Sequence, residues 1–149
     1  MTQRDDASQT ILLVEDSPGD VRLAQEALRE NGRRTQVVVA GTGEEALALL
    51  RDGGAAARLR PDLILLDLNL PGMDGRELLA ELKMDPDLKA IPVVILSTSQ
   101  HDADVSRVYD LHGNCYINKP MDYERFVELI RKIEDFWLTV ARLPGGARV

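Results

Sequence analysis

Short, dense apolar runs alternate along the chain with longer stretches in which apolar residues recur at helical spacing. Five runs stand out: Ile11–Val14, Gln36–Ala40, Leu63–Leu66, Val93–Leu96 and Cys115–Ile117. They are rich in Val, Ile and Leu and do not alternate apolar with polar positions. Strands covered on both faces read this way, which predicts a parallel sheet. Helix signals follow each run. Ser17-Pro18-Gly19-Asp20 places a cap, a first-turn proline and an acid in order, and Asn31-Gly32 stops the helix. Thr42-Gly43-Glu44-Glu45 is a second start signal, and Asp52-Gly53-Gly54 ends that helix. A third helix is predicted from about Gly75 to Met84, a fourth near Ala103–Leu111 closed by Gly113, and a fifth over about Tyr123–Ala141 capped by Asp122. Five strand–helix units in series predict an α/β fold with right-handed crossovers. The pattern bounds one domain at residues 10–141 and leaves residues 1–9 and 142–149 as tails expected to be flexible.

Composition agrees with one globular domain. The chain has 149 residues, 44% of them hydrophobic and 29% charged, long enough to hide roughly 68–70% of its unfolded surface. Disordered, collagen-like and disulfide-scaffold classes are excluded. No apolar run approaches the ~20 residues of a membrane-spanning helix, and the first ten residues lack an apolar signal core, so a cytoplasmic protein without membrane contact is expected. The balance of 25 acidic to 18 basic residues gives a net charge of −7. Its basic clusters, Arg33-Arg34 and Arg58 with Arg60, are short, which argues against direct nucleic-acid binding. Cys115, the single cysteine, reads as a small strand residue, and His101 and His112 as loop and helix-end residues.

In an open parallel sheet, sites form beyond the carboxyl ends of the strands. Glu15 and Asp16 follow the first strand. Asp67 ends the third, with Asn69 two residues on. Ser97, Thr98 and Ser99 end the fourth, and Lys119-Pro120 follows the fifth. Each has an ordinary explanation alone: solvated loop acids, a helix cap, a turn. Together they would gather three carboxylates, a hydroxyl and a lysine on one rim. Clustered carboxylates repel unless a cation compensates, and hard oxygen ligands without His or Cys select Mg²⁺, Mn²⁺ or Ca²⁺ over zinc. Asp67 would then be a nucleophile able to form an acyl phosphate, with the metal and Lys119 offsetting phosphoryl charge.

With Glu15-Asp16 in LLVEDSPGD, Asp67 in LILLDLNLPGMDG, Ser97 in PVVILSTS and Lys119-Pro120 in YINKP, the chain resembles the receiver domains of two-component response regulators over about Thr10–Ile133. The resemblance implies a flavodoxin-like, doubly wound (βα)5 fold with strand order 2-1-3-4-5. It implies that Asp67 accepts a phosphoryl group from a histidine kinase, that Asp16, Asp67 and the backbone carbonyl of Asn69 hold Mg²⁺ with Glu15 acting through water, and that Mn²⁺ can substitute. Ser97 and Tyr116 take the switch positions, Lys119 pairs with the phosphoryl group, and the bond to Pro120 is expected to be cis. Ser97 stands where threonine is commoner and Asn118 where an apolar residue is frequent. STSQHDADVSRVYDLHGNCYINKP and FVELIRKIEDFWLTVARLP resemble stand-alone receivers paired with phytochrome kinases.

Two other classes share parts of this pattern. A haloacid-dehalogenase-type phosphatase would share the nucleophile and metal but needs an Asp where Asn69 stands, so no enzyme is expected. A phosphorylation-independent interaction module would use the same fold without the chemistry. In the last helix Phe126, Ile130, Ile133, Trp137 and Val140 fall at spacings of 4, 3, 4 and 3, a core-facing stripe over its first half. Phe136 and Trp137 lie past the expected reach of the sheet, with Val140 following them. They predict a homodimer through the region of the fourth helix, fifth strand and fifth helix.

Overall fold

The computed structural model describes residues 9–32 and 34–144; the tail assignments for residues 1–8 and 145–149 lie outside the described residues. Five parallel strands, β1 (Thr10–Val14), β2 (Gln36–Ala40), β3 (Leu63–Asp67), β4 (Val93–Ser97) and β5 (Cys115–Asn118), form one sheet in the order β2-β1-β3-β4-β5. The helices are α1 (Pro18–Glu30), α2 (Gly43–Arg51), α3 (Gly75–Met84), α4 (Asp102–Asp110) and α5 (Tyr123–Asp135), with a single unanticipated helical turn at Gly54–Ala57. This is the predicted doubly wound fold.

Side chains of successive strand residues point to opposite faces, so each apolar run supplies two cores. Leu12, Val14, Ile64, Leu66, Val93 and Ile95 face α2, α3 and α4. Ile11, Leu13, Leu63, Leu65, Val94 and Leu96 face α1 and α5. The register aligns Val14 with Ala40 and Leu66, Asp67 with Leu96, and Ser97 with Asn118. It therefore delivers the polar strand ends to one rim.

The caps follow the sequence signals. Ser17 Oγ accepts the Asp20 N–H at 3.4 Å, Thr42 Oγ1 the Glu45 N–H at 3.0 Å, and Asp122 Oδ1 the Glu124 N–H at 2.9 Å. Asp74 caps α3 in a reciprocal box with Glu77. Gly75, the first residue of α3, packs straight onto the end of β3: a Cβ there would lie 2.6 Å from both the Asp67 carbonyl oxygen and Leu68 Cα. Backbone cannot yield as a flexible side chain does. Gly75→Ala is expected to cost about 3 kcal/mol, the upper part of the overpacking range, read as a lower urea midpoint with unchanged slope.

The last helix departs from its predicted course. Phe126, Ile130 and Ile133 are buried as expected, but Phe136–Val140 widens into a π-helical turn in which the Ala141 N–H donates to the Phe136 carbonyl at 2.8 Å. The wider turn carries Leu138 to the core and rotates Val140 out, where it is 69% exposed. Trp137 lies partly buried against the α1/α5 core, its ring edge-on to Phe136 at 5.4 Å. At the end of α4, it is His112 that adopts the left-handed conformation (φ 70°). Gly113 is needed next to it because a Cβ would meet Val108 Cγ1 at 2.6 Å.

Candidate functional site

The carboxyl ends of β1, β3, β4 and β5 bring Glu15, Asp16, Asp67, Ser97 and Lys119 to one rim. Lys119 organises it. Its Nζ donates to Glu15 Oε1 at 2.8 Å and to Asp20 Oδ2 at 2.9 Å, and lies 3.7 Å from Asp67 Oδ2. The Lys119 backbone N–H donates to the Ser97 carbonyl at 2.7 Å, which fixes the lysine relative to β4. Glu15, Asp67 and Ser97 are buried, and Asp16 is exposed. Carboxylate oxygens of Glu15, Asp16 and Asp67 all fall within 4.8 Å of one another, a spacing compatible with a shared divalent cation. The Asn69 N–H donates to Asp67 Oδ1 at 3.2 Å, pinning one carboxylate oxygen.

Sequence reasoning missed Asp20 as a member of this site. It was legible only as a first-turn acid of α1, which it also is. Its contact with Lys119 depends on how α1 leans over the rim, and nothing in the local sequence states that.

Glu15, Asp20 and Asp67 surround one ammonium, and Asp16 adds a fourth carboxylate beside Glu15 and Asp67, so anionic charge outweighs cationic charge at the rim. Burial, reinforced by the field of Asp67, pushes the Glu15 carboxyl up to about 7, against the lowering effect of Lys119 and of the Ser17 N–H that bonds its other oxygen at 3.1 Å. Burial alone would drag Lys119 down. The Glu15 and Asp20 hydrogen bonds and the charges of Asp67 and Glu15 more than offset it and hold the ammonium above its ordinary range. Lys119 therefore stays cationic throughout the physiological range. Hard carboxylate oxygens with excess negative charge suit a magnesium-class ion, so the residues present fit such a group.

Two expectations meet a different arrangement. The Lys119–Pro120 bond is trans, as are all peptide bonds among the described residues. This corrects the cis assignment; the two isomers of an Xaa-Pro bond differ by only about 0.5–1 kcal/mol, so the dipeptide alone does not fix the choice. Asn118, at an expected apolar position, is exposed and donates through Nδ2 to the Ser99 carbonyl at 2.7 Å. Tyr116 is already docked: its ring packs against the α2–α4 core and its hydroxyl donates to the same carbonyl at 2.8 Å.

Fold and rim together define a phosphoryl-signalling class, and the chain belongs to the response regulator receiver domain family, whose profile matches residues 11–131. Among relatives, it is 45% identical over 147 residues to the response regulator Rcp1 of Synechocystis sp., covering 98% of this chain and 100% of that one. The crystal structure of the phosphorylated cyanobacterial phytochrome response regulator RcpA superposes with a TM-score of 0.88 at 52% identity, covering 93% of this chain and 99% of that chain. The Mn²⁺-bound form of Rcp1 gives 0.85 at 47% identity, covering 91% and 99%. The protein is thus a response regulator related to phytochrome-associated regulators, and a histidine kinase is the implied class of partner. Among the described residues, no helix is long and apolar enough to cross a membrane.

Proposed function

We infer that Asp67 is the phosphoacceptor and that its donor is a phosphohistidine on a sensor kinase of the phytochrome type. The observation that carries this is the placement of Asp67: a nearly buried carboxylate at the end of β3, 3.7 Å from the ammonium of Lys119 and grouped with Glu15 and Asp16. In the transfer, an Asp67 carboxylate oxygen forms the new O–P bond while the P–N bond breaks. The bonding pair stays on the imidazole nitrogen. Lys119 meets the added charge of about −2 and Ser97 donates its hydroxyl to a phosphoryl oxygen. Asp16, Asp67 and the Asn69 carbonyl would hold Mg²⁺, or Mn²⁺ as in the bound form of Rcp1, with Glu15 acting through water. Bound there, the ion supplies positive charge against the phosphoryl oxygens. Asn69 offers no acid or base to drive turnover, which supports a stored phosphoryl group over a phosphatase.

The test is incubation with a panel of autophosphorylated histidine kinases, light-regulated ones included, in the presence of Mg²⁺. Label should pass to the regulator from at least one and be acid-stable and hydroxylamine-labile. Robust multiple turnover of small phosphate esters would instead favour the hydrolase.

The homodimer belongs to the same proposal. Phe136 and Val140 are 50% and 69% exposed on the π-helical turn, beside the partly buried Trp137. Sedimentation should show a dimer at micromolar concentration and a shift to monomer in Phe136→Asp. Only monomer for the wild type, with and without beryllofluoride, would refute the dimer.

A further inference from the structure

Ser99, two residues past the switch hydroxyl, is the most heavily bonded residue of the rim. Its N–H donates to Ser97 Oγ at 3.1 Å. Its hydroxyl donates to Asp104 Oδ2 at 2.5 Å and accepts the His101 N–H at 3.3 Å. Its carbonyl accepts from the Tyr116 hydroxyl at 2.8 Å and from Asn118 Nδ2 at 2.7 Å. Every polar group of one loop residue is therefore engaged, and the partners come from β4, α4 and β5.

Asp104 extends the chain of contacts back to the acceptor strand. Its other oxygen receives Arg76 Nη2 at 2.6 Å, with both side chains about a quarter exposed. Arg76 Nη1 in turn reaches both oxygens of Asp74, at 3.1 and 3.2 Å. Asp74 caps α3, and the next residue, Gly75, donates its N–H to the Leu68 carbonyl at 3.0 Å while packing against the Asp67 carbonyl. The contacts close a ring: Asp67 backbone, α3 N-terminus, Arg76, Asp104, Ser99, Ser97. Hydrogen bonds with an ionised partner are short and strong, and the Arg76–Asp104 and Asp104–Ser99 links are of that kind. They hold the Asp104 carboxyl below the usual carboxylate range.

The chemistry of Ser97 gives the ring a purpose beyond tethering α4. Ser97 is completely buried. Its oxygen already accepts the Ser99 N–H, so the proton of its own hydroxyl is left to be donated. A phosphoryl oxygen on Asp67 is the acceptor this arrangement serves. The carbonyl of the same Ser99 holds Tyr116 docked. Fixing Ser99 thus orients the switch hydroxyl and the switch aromatic together.

We propose that Arg76 and Asp104 are positioning residues that clamp the β4–α4 loop through Ser99, holding Ser97 and Tyr116 in the phosphoryl-competent arrangement before the phosphoryl group arrives. The clamp rests on the phosphoacceptor role proposed above. It is a bias between two packings, and removing it would lower the apparent affinity for the phosphorylated state by the fraction of competent molecules lost.

The experiment is titration of beryllofluoride, a phosphoryl mimic, onto Mg²⁺-loaded full-length protein. Arg76→Ala and Asp104→Ala are each expected to weaken beryllofluoride binding on the order of five- to tenfold, in the range of allosteric coupling. The double variant should be no weaker than Asp104→Ala, because Arg76 reaches Ser99 through Asp104. Asp104→Glu should recover part of the loss, and Mg²⁺ affinity should not change. Arg51→Ala breaks an Arg51–Asp85 pair of 3.1 Å at the opposite end of the sheet and should leave binding at the wild-type level. Wild-type affinity in both alanine variants, or fully additive losses in the double variant, would overturn the clamp while leaving the acceptor role intact. Failure of the wild type itself to bind beryllofluoride would overturn both.

Discussion

Asp67→Asn should reduce labelling by acetyl phosphate or by a cognate kinase to the background of an unlabelled control. The substitution keeps the shape of the side chain and removes its charge. An amide oxygen forms no stable acyl phosphate, so the O–P bond has nowhere to form. The fold should not suffer: Asp67 stands near Glu15 and Asp16 with carboxylate oxygens within 4.8 Å, and removing one of several like charges relieves repulsion. The expected pattern is therefore abolished label together with a melting temperature equal to or above that of the wild type, and weaker Mg²⁺ binding because a ligand charge is lost. Persistence of acid-stable, hydroxylamine-labile label in the variant would show that the acceptor is another residue.

Lys119→Met should separate stability, metal binding and signalling. The Lys119 side chain is only 9% exposed, and its ammonium meets Glu15, Asp20 and Asp67. Methionine keeps much of the stem but leaves the acids facing one another. Removing one partner of a buried ion pair costs about 3–5 kcal/mol. Asp20 is a third exposed, and water screens that part of the network, so a loss of about 3 kcal/mol near neutral pH without divalent cations is expected, measured by urea unfolding. Millimolar Mg²⁺ should restore part of it, since the rim has become more negative. Affinity for Mg²⁺ should stay the same or rise. Beryllofluoride binding should fall steeply, because the cation proposed to meet the phosphoryl oxygens is gone. Loss of Mg²⁺ affinity would show that Lys119 acts in metal binding and not on the phosphoryl group.

The parts of this protein that could be read from its sequence are those fixed by local rules. Ile64, Leu65 and Leu66 form a run with no polar interruption because both faces of β3 are buried, and that alone predicts a central parallel strand. Ser17, Thr42 and Asp122 announce their helices because a cap must satisfy exposed N–H groups with a side chain close in sequence. Asp67, Ser97 and Lys119 fall on one rim because strand ends in a parallel sheet share a side. What escaped notice depends on tertiary packing. The reach of Asp20 to Lys119 crosses from α1 to the end of β5. Arg76 and Asp104 read as ordinary surface charges until α3 and α4 are placed side by side. The π-helical turn at Phe136–Val140 replaces the helical period by a wider one, and a 3.6-residue pattern that sets Val140 on one stripe with Phe126 gives no sign that Leu138 turns to the core. Asn118 finds its partner on a loop from a different strand, where a strand pattern offers no hint of it.

The proposed chemistry depends on one covalent bond at one side chain. Borohydride reduces an aspartyl phosphate to homoserine, so reduction of the kinase-labelled protein followed by peptide sequencing locates the acceptor directly. Homoserine at position 67, absent from unlabelled protein and from Asp67→Asn, is the expected result. Homoserine at position 16, or kinase-derived label with no conversion at position 67, would contradict it.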